Sequence, residues 1–329
     1  MEEDIGMATI TLRSPSGPNR SNRGRTEPGR GPRPERPNRE PRNAPAGQRP
    51  PREGQRPPRQ RSGGGEKGGG RSSRRGGDTP FTIKGELLFG RNAILESLAA
   101  SRRVPTRLWV AEGLRQDERV DRIVELARSK EVLVETVPRP MLDDQLPEVN
   151  HQGVLLESGR YPYADLADVI DFEGTVLVLD HLQDPQNFGT LLRAADAAGV
   201  AGVIIPSDRS AEISPTVVNA SSGAVEHLNI ATVPNLGNAL EKLEASGRWI
   251  VGLDGGPGSQ DLFETDVPTP AVLIVGSEGS GLTANIRKRC QLVVSLPMRG
   301  HVESLNAATA GSIALFDLVR RERAELTVE

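Results

Sequence analysis

The stretch TVLVLDHLQDPQNFGTLLRAADAAGVAGVIIP, residues 175–206, decides the fold class. It opens on an unbroken apolar run over 175–180, the pattern of a strand covered on both faces. A helix follows over NFGTLLRAADAAG, in which Phe188, Leu191, Leu192 and Ala195 share one face while Thr190 and Arg193 lie on the other. Gly199 suits the left-handed turn that ends a helix. VAGVIIP is again a strand. Two such strands flanking a helix predict a parallel sheet.

Downstream the alternation continues. Residues from Ser207 to about Ala224 read as loop and helix, HLNIATV as a strand and NLGNALEKLEASG as a helix. RWIVGLD and AVLIVG read as strands, TANIRKRC as a helix, QLVVSLP as a strand and SLNAATAGSIALFDLVRRERAEL as a closing helix. Residues 174–329 are therefore expected to form a mostly parallel sheet with helices on both faces. Upstream, 159–173 reads as a linker. Residues 82–158 read as a second, smaller α/β domain: GELLFGRNAILESLAAS gives strand, glycine turn and helix, RLWVAEG a strand, RVDRIVELARSK a helix, EVLVETV a strand, MLDDQL a short helix and HQGVLLES a strand. No internal repeat is visible.

The first 80 residues differ in kind. They hold 18 Arg and Lys against 9 Asp and Glu, and no Phe, Trp or Tyr, so the formal net charge of −3 for the chain hides a basic tail on an acidic body. Runs such as RPPREGQRPPRQRSGGGEKGGGRSSRRGG carry too little apolar surface to offset the entropy of ordering, and a disordered segment is expected. Such a tail adds salt-dependent, sequence-independent affinity for RNA, or serves only as a solubilising extension. The start Met1-Glu2-Glu3-Asp4 is acidic where a signal peptide is basic. No run approaches the ~18 apolar residues of a membrane span. A soluble cytoplasmic protein with no membrane or DNA partner is expected. The single cysteine, Cys290, reads as a small half-buried hydrophobe.

Three loops at predicted strand ends carry unusual residues, and such ends are where open parallel sheets bind ligands. In DHLQDPQNFGTLLRAA (180–195), Asn187 stands where a helix cap is expected. Read alone, that loop is a capping Asn with a solvated Arg193. In IVGSEGSGL (274–282), Gly276, Gly279 and Gly281 let backbone approach a ligand closely, although a plain turn has the same look. The loop lacks both G-x-G-x-x-G and the G-K-[ST] of a phosphate loop, and Glu278 would repel phosphates. A neutral or positive ligand suits it better. In LPMRGHVESLNAATAGSIALF (296–316), Pro297 and Gly300 turn the chain and Ser304 or Asn306 can cap the last helix. The small face of Ala307, Ala308, Ala310 and Gly311 permits close packing of another backbone.

Together these loops resemble the three motifs of the SpoU (TrmH-type) branch of the SPOUT RNA methyltransferases. N-x-G-x-x-x-R is matched by Asn187, Gly189 and Arg193, and G-x-E-G-x-G by Gly276, Glu278, Gly279 and Gly281. [IL]-P-M-x-G-x-x-x-S-L-N is matched by Leu296, Pro297, Met298, Gly300, Ser304, Leu305 and Asn306. SSGAVEHLNI (221–230) is also typical of the family. LLFGRNAILESL and NHQGVLLES resemble the substrate-binding domain of the 23S rRNA guanosine-2′-O-methyltransferase type, whose fold is similar to an RNA-binding ribosomal protein. Only the tail lies outside the resemblance.

The resemblance implies a deep trefoil knot near the C-terminus and S-adenosylmethionine bent within it, touched by Gly276, Leu296, Met298 and Leu305. It implies a homodimer with the site near the subunit boundary, RNA as partner, most simply large-subunit rRNA, and no metal. It gives Arg193 the central role, with Asn187, Glu278, Ser304 and Asn306 orienting it and the substrate. Arginine is effectively always protonated, so stabilising the developing alkoxide and binding the neighbouring phosphate suit it better than acting as a plain base. His301 is the rival base by pKa. His151, His181 and His227 have no metal-ligand spacing. Competing readings are a tRNA substrate, a non-catalytic RNA-binding scaffold, and a Rossmann-type small-molecule methyltransferase. The last lacks its acidic-Gly-x-Gly loop here.

Overall fold

The structure is a computed structural model that describes residues 82–115, 117–208 and 210–326. The expectation for the basic tail over 1–80 lies outside the described residues.

The N-terminal part runs β1 (Glu86–Phe89), α1 (Arg91–Ala100), β2 (Pro105–Ala111), α2 (Glu118–Ser129), β3 (Leu133–Val137), α3 (Arg139–Gln145) and β4 (Val154–Ser158). Its four strands order as β1-β4-β2-β3, with β4 antiparallel to β1 and β2, and β2 parallel to β3. α2 starts where the sequence breaks polarity. The Asp117 carboxylate accepts the backbone N–H groups of Arg119 and Val120, satisfying two donors that the first helical turn leaves open.

The C-terminal part runs α4 (Leu166–Asp171), β5 (Val176–Asp180), α5 (Pro185–Ala198), β6 (Gly202–Pro206), α6 (Pro215–Ala220), a 3-10 turn (Ala224–His227), β7 (Ile230–Val233), α7 (Leu236–Ala245), β8 (Trp249–Leu253), β9 (Gln260–Asp261), β10 (Ala271–Gly276), α8 (Ala284–Arg287), β11 (Leu292–Ser295) and α9 (Ala307–Leu326). All seven strands are parallel, in the order β7-β6-β5-β10-β8-β11-β9. The apolar run of β5 shows why both faces must be covered. Val176 and Val178 join Val169 of α4, Leu240 of α7 and Ile286 of α8, while Leu177 and Leu179 join Leu191 of α5 and Leu315 of α9. β5, β10 and β8 lie side by side, so their carboxyl ends open onto one crevice.

Four details depart from the sequence reading. The stretch 159–173 is not a plain connection: it contains α4, whose Val169 is fully buried against the sheet, and the Ala164 N–H donates to the Ile230 carbonyl. HLNIATV begins as the end of the 3-10 turn, and only Ile230–Val233 extends as strand. The helix in TANIRKRC is four residues long. The two-residue β9 had no periodic signal to announce it. Among the described residues, no helix is long and apolar enough to cross a membrane.

The two sheets are joined by a buried ion pair. Arg103, just after α1, places Nε 2.7 Å from Glu226 Oε1, and both side chains are fully buried. Its Nη1 also reaches Glu86 Oε2 at 2.6 Å and donates to the Gly159 carbonyl at 3.2 Å. Burial pushes the Glu226 carboxyl up, and Arg103 pulls it back. Glu226→Ala leaves the guanidinium buried with only Glu86 opposite. We expect a loss of about 3 kcal/mol in urea unfolding, the low end for a broken buried pair.

Candidate active site

The carboxyl ends of β8, β10 and β11 and the start of α9 enclose a cleft of about 580 Å³. Its wall over 276–281 is the second glycine loop. A β-carbon on Gly276 would stand 2.2 Å from the Gly281 carbonyl carbon and 2.5 Å from the Leu282 nitrogen, so only glycine fits. The loop closes on itself: the Ser277 N–H donates to the Gly281 carbonyl (3.1 Å) and the Gly281 N–H to the Ser277 carbonyl (3.0 Å). Gly279 and Gly281 take φ of 78° and 64°, which a side chain would strain. The buried Asp180, opposite Gly276 in the sheet, then anchors the chain as it leaves the loop by accepting the Thr283 N–H at 2.7 Å.

The opposite wall is the third motif. Leu296, Met298, Ser304, Leu305 and Asn306 all line the cleft. Asn306 caps α9, its Oδ1 accepting the N–H groups of Ala308 (2.9 Å) and Thr309 (3.2 Å). Its amide Nδ2 donates to Asn187 Oδ1 at 2.8 Å, which joins the first motif to the third. Asn187 is therefore not the cap of α5, as its position suggested. Asp184 is, accepting the Asn187 N–H at 2.9 Å, because Pro185 fits the first helical position and shifts the start three residues earlier.

Gly276, Glu278, Leu296, Met298, Ser304, Leu305 and Asn306 thus share one cleft, with Asn187 touching it through Asn306. Arg193 does not line it. It lies six residues beyond Asn187 on α5, about 9 Å along the helix axis, exposed, with Nη1 donating to Ser222 Oγ at 3.1 Å. Gly189 between them lets α5 lie against α6, since a β-carbon there would stand 2.5 Å from Ala220 Cβ.

The sequence reading missed the third side of the cleft, Leu253 to Gly256. The signal was present, a Gly-Gly pair directly after a strand. Asp254 is engaged there, accepting the Gly256 N–H at 2.8 Å and pairing with Arg287 at 2.9 Å. His301 is exposed and outside the cleft lining. His151, His181 and His227 each face a separate carboxylate, on Asp143, Asp180 and Glu96. Among the described residues no three His, Cys, Asp or Glu side chains group as metal ligands. Burial pushes the Cys290 thiol up to about 11, which keeps it protonated and unreactive.

The lining holds three carboxylates, on Asp254, Glu278 and Glu303, and no Lys, Arg or His. Such a cleft suits a cationic ligand with apolar parts and disfavours a polyphosphate.

The sequence pattern of the SpoU rRNA Methylase family matches residues 174–316, and that described as RNA 2′-O ribose methyltransferase substrate binding matches 87–164. A Bacillus subtilis protein named for the TrmH family of tRNA/rRNA methyltransferases is 35% identical over 242 residues, spanning 72% of this chain and 96% of its own. The chain belongs to the SpoU/TrmH family of RNA methyltransferases. A Staphylococcus saprophyticus protein named for the same family is 36% identical over 71% of this chain and 95% of its own. Among solved structures, the SpoU methyltransferase AviRb of Streptomyces viridochromogenes in complex with AdoMet superposes with a TM-score of 0.61 at 26% identity, covering 72% of this chain and 90% of that one. An AdoMet-bound rRNA methyltransferase of Sinorhizobium meliloti gives 0.60 at 26% identity, over 72% and 87%.

Proposed function

We propose that the protein transfers a methyl group from S-adenosylmethionine to a ribose 2′-hydroxyl of structured RNA, with large-subunit rRNA as substrate. The observation that carries the proposal is the cleft itself. Glycines and apolar side chains make up most of its lining, its charged side chains are all acidic, and an asparagine pair connects it to the arginine-bearing helix.

The methyl donor is a sulfonium cation that carries a purine base with apolar faces. Leu253, Val275, Leu296 and Leu305 offer apolar contact, and the glycine loop brings backbone within reach where a side chain would not fit. When bound, S-adenosylmethionine supplies an electrophilic methyl carbon. The residues of this chain align the ribose oxygen with that carbon and manage the charge that develops as the hydroxyl loses its proton. Arg193 is suited to the charge. Among the described residues no carboxylate pairs with it, and a single neutral hydroxyl orients it, so its other N–H donors stay open to a phosphate or an alkoxide. Ser304, Glu278 and Asn306 at the rim position the nucleotide, with Asn187 holding Asn306.

Residues 82–158 form the RNA-binding domain in this reading, 159–173 joins it to the methyltransferase domain, and 174–329 carries the transfer. The trefoil knot is part of the proposal, supported by the second and third motifs lining one cleft. So is a homodimer. Arg193 stands apart from the cleft, and the exposed Ile313 and Phe316, one turn apart on α9, offer an apolar face to a second copy. A site completed across that face brings an arginine to each cleft.

The test is transfer of labelled methyl to unmodified large-subunit rRNA and to bulk tRNA. Label in rRNA alone is the expected result. Label in tRNA alone overturns the substrate, and label in neither, with cofactor bound, favours a non-catalytic scaffold.

A further inference from the structure

We propose that Ser222 is a positioning residue for Arg193, and that the turn holding it also seats the RNA-binding domain. The inference rests on the reading of Arg193 given above.

Ser222 follows α6, in the turn that closes it. Its N–H donates to the Asn219 carbonyl (2.9 Å) and that of Gly223 to the Val218 carbonyl (2.8 Å), the paired bonds of a Schellman helix end. In that motif the residue after the cap sits in the left-handed region and is ordinarily glycine. Here it is serine, at φ 55°. The backbone thus accepts a strained residue where glycine would be easier, and what serine adds is a hydroxyl. That hydroxyl accepts from Arg193 Nη1 at 3.1 Å. The partner is neutral. Arg103, Arg287 and Arg321, by contrast, are tied to carboxylates, which offset their charge. Ser222 instead fixes the direction of the guanidinium and leaves its charge whole for an anion.

The next residue faces the other way. A β-carbon on Gly223 (φ 90°) would stand 2.5 Å from Glu96 Cβ and 3.1 Å from the Asn92 carbonyl, so this turn is in direct contact with α1. Asn219 Nδ2 donates to the Phe89 carbonyl at 3.2 Å, and Glu226 holds Arg103. Residues 219–226 therefore fix both the direction of Arg193 and the seat of the domain that carries RNA. SSGAVEHLNI, legible in the sequence without a role, gains one here.

The test compares Ser222→Gly, Ser222→Ala and Arg193→Ala in the full chain. Methyl transfer to rRNA, cofactor affinity and thermal midpoint are read for each. Ser222→Gly relieves the φ strain while removing the hydroxyl. It is expected to keep or raise Tm and to lower kcat about tenfold or more with S-adenosylmethionine affinity unchanged. Ser222→Ala is expected to lose kcat likewise without the gain in Tm. A merely structural serine would lower Tm and kcat together. Wild-type kcat in Ser222→Gly, with Arg193→Ala inactive, overturns the positioning role alone. Wild-type kcat in Arg193→Ala overturns the reading beneath it.

Discussion

Arg193→Ala is expected to lower the rate of methyl transfer by about 10²–10³-fold, the scale of losing one preorganised group that meets developing negative charge. Its affinity for S-adenosylmethionine is expected to stay at the wild-type value, because Arg193 is not part of the cleft lining. Tm should hardly move, since the side chain is exposed and makes one hydrogen bond, to Ser222. Arg193→Lys keeps the charge and loses the planar fork, so it should recover only part of the rate. Single-turnover transfer with labelled cofactor, beside calorimetric cofactor titration, separates the chemical step from binding. A variant that loses cofactor affinity as much as rate would place Arg193 in cofactor binding.

Gly276→Ala is expected to act on the opposite half of the reaction. The new β-carbon would lie 2.2 Å from the Gly281 carbonyl carbon and 2.3 Å from its oxygen. Those are backbone atoms held by two reciprocal hydrogen bonds, so no side chain can swing aside. The 277–281 loop must open, and with it the wall of the cleft. Cofactor binding should weaken by about 100-fold or more, equivalent to roughly 2.7 kcal/mol. Stability should fall by about 1–3 kcal/mol, as overpacking at a close contact does. Gly300→Ala is the control. Nothing lies within 4 Å of its added β-carbon and its φ is not positive, so both quantities should remain near wild type.

Much of this was legible in the sequence because it was local. The run over 175–180 read as a strand covered on both faces and that over 271–276 as a strand, and Gly199 marked the end of α5. The cleft residues Gly276, Leu296 and Asn306 came from motifs at strand ends. What was not legible depended on partners far along the chain. α4 is six residues long, too short for a periodic signal, and is held by contacts with β6, β7 and α7. β9 exists because β11 pairs with it. The contact between Arg193 and Ser222 spans 29 residues and that between Asn187 and Asn306 spans 119, and no spacing rule reaches so far. The misplaced cap of α5 was a local error. Asp184-Pro185 is a stronger start signal than Asn187, because proline gives up no hydrogen bond at the first helical position.

In the proposed reaction the cleft and Arg193 together direct a methyl group to a ribose oxygen. The most direct measurement is nucleoside mass spectrometry of unmodified large-subunit rRNA after reaction with the full chain and S-adenosylmethionine. The expected product is a nucleoside carrying the added methyl on its ribose, absent when Arg193→Ala is used. A product methylated only on its base, or ribose methylation undiminished in Arg193→Ala, would contradict it.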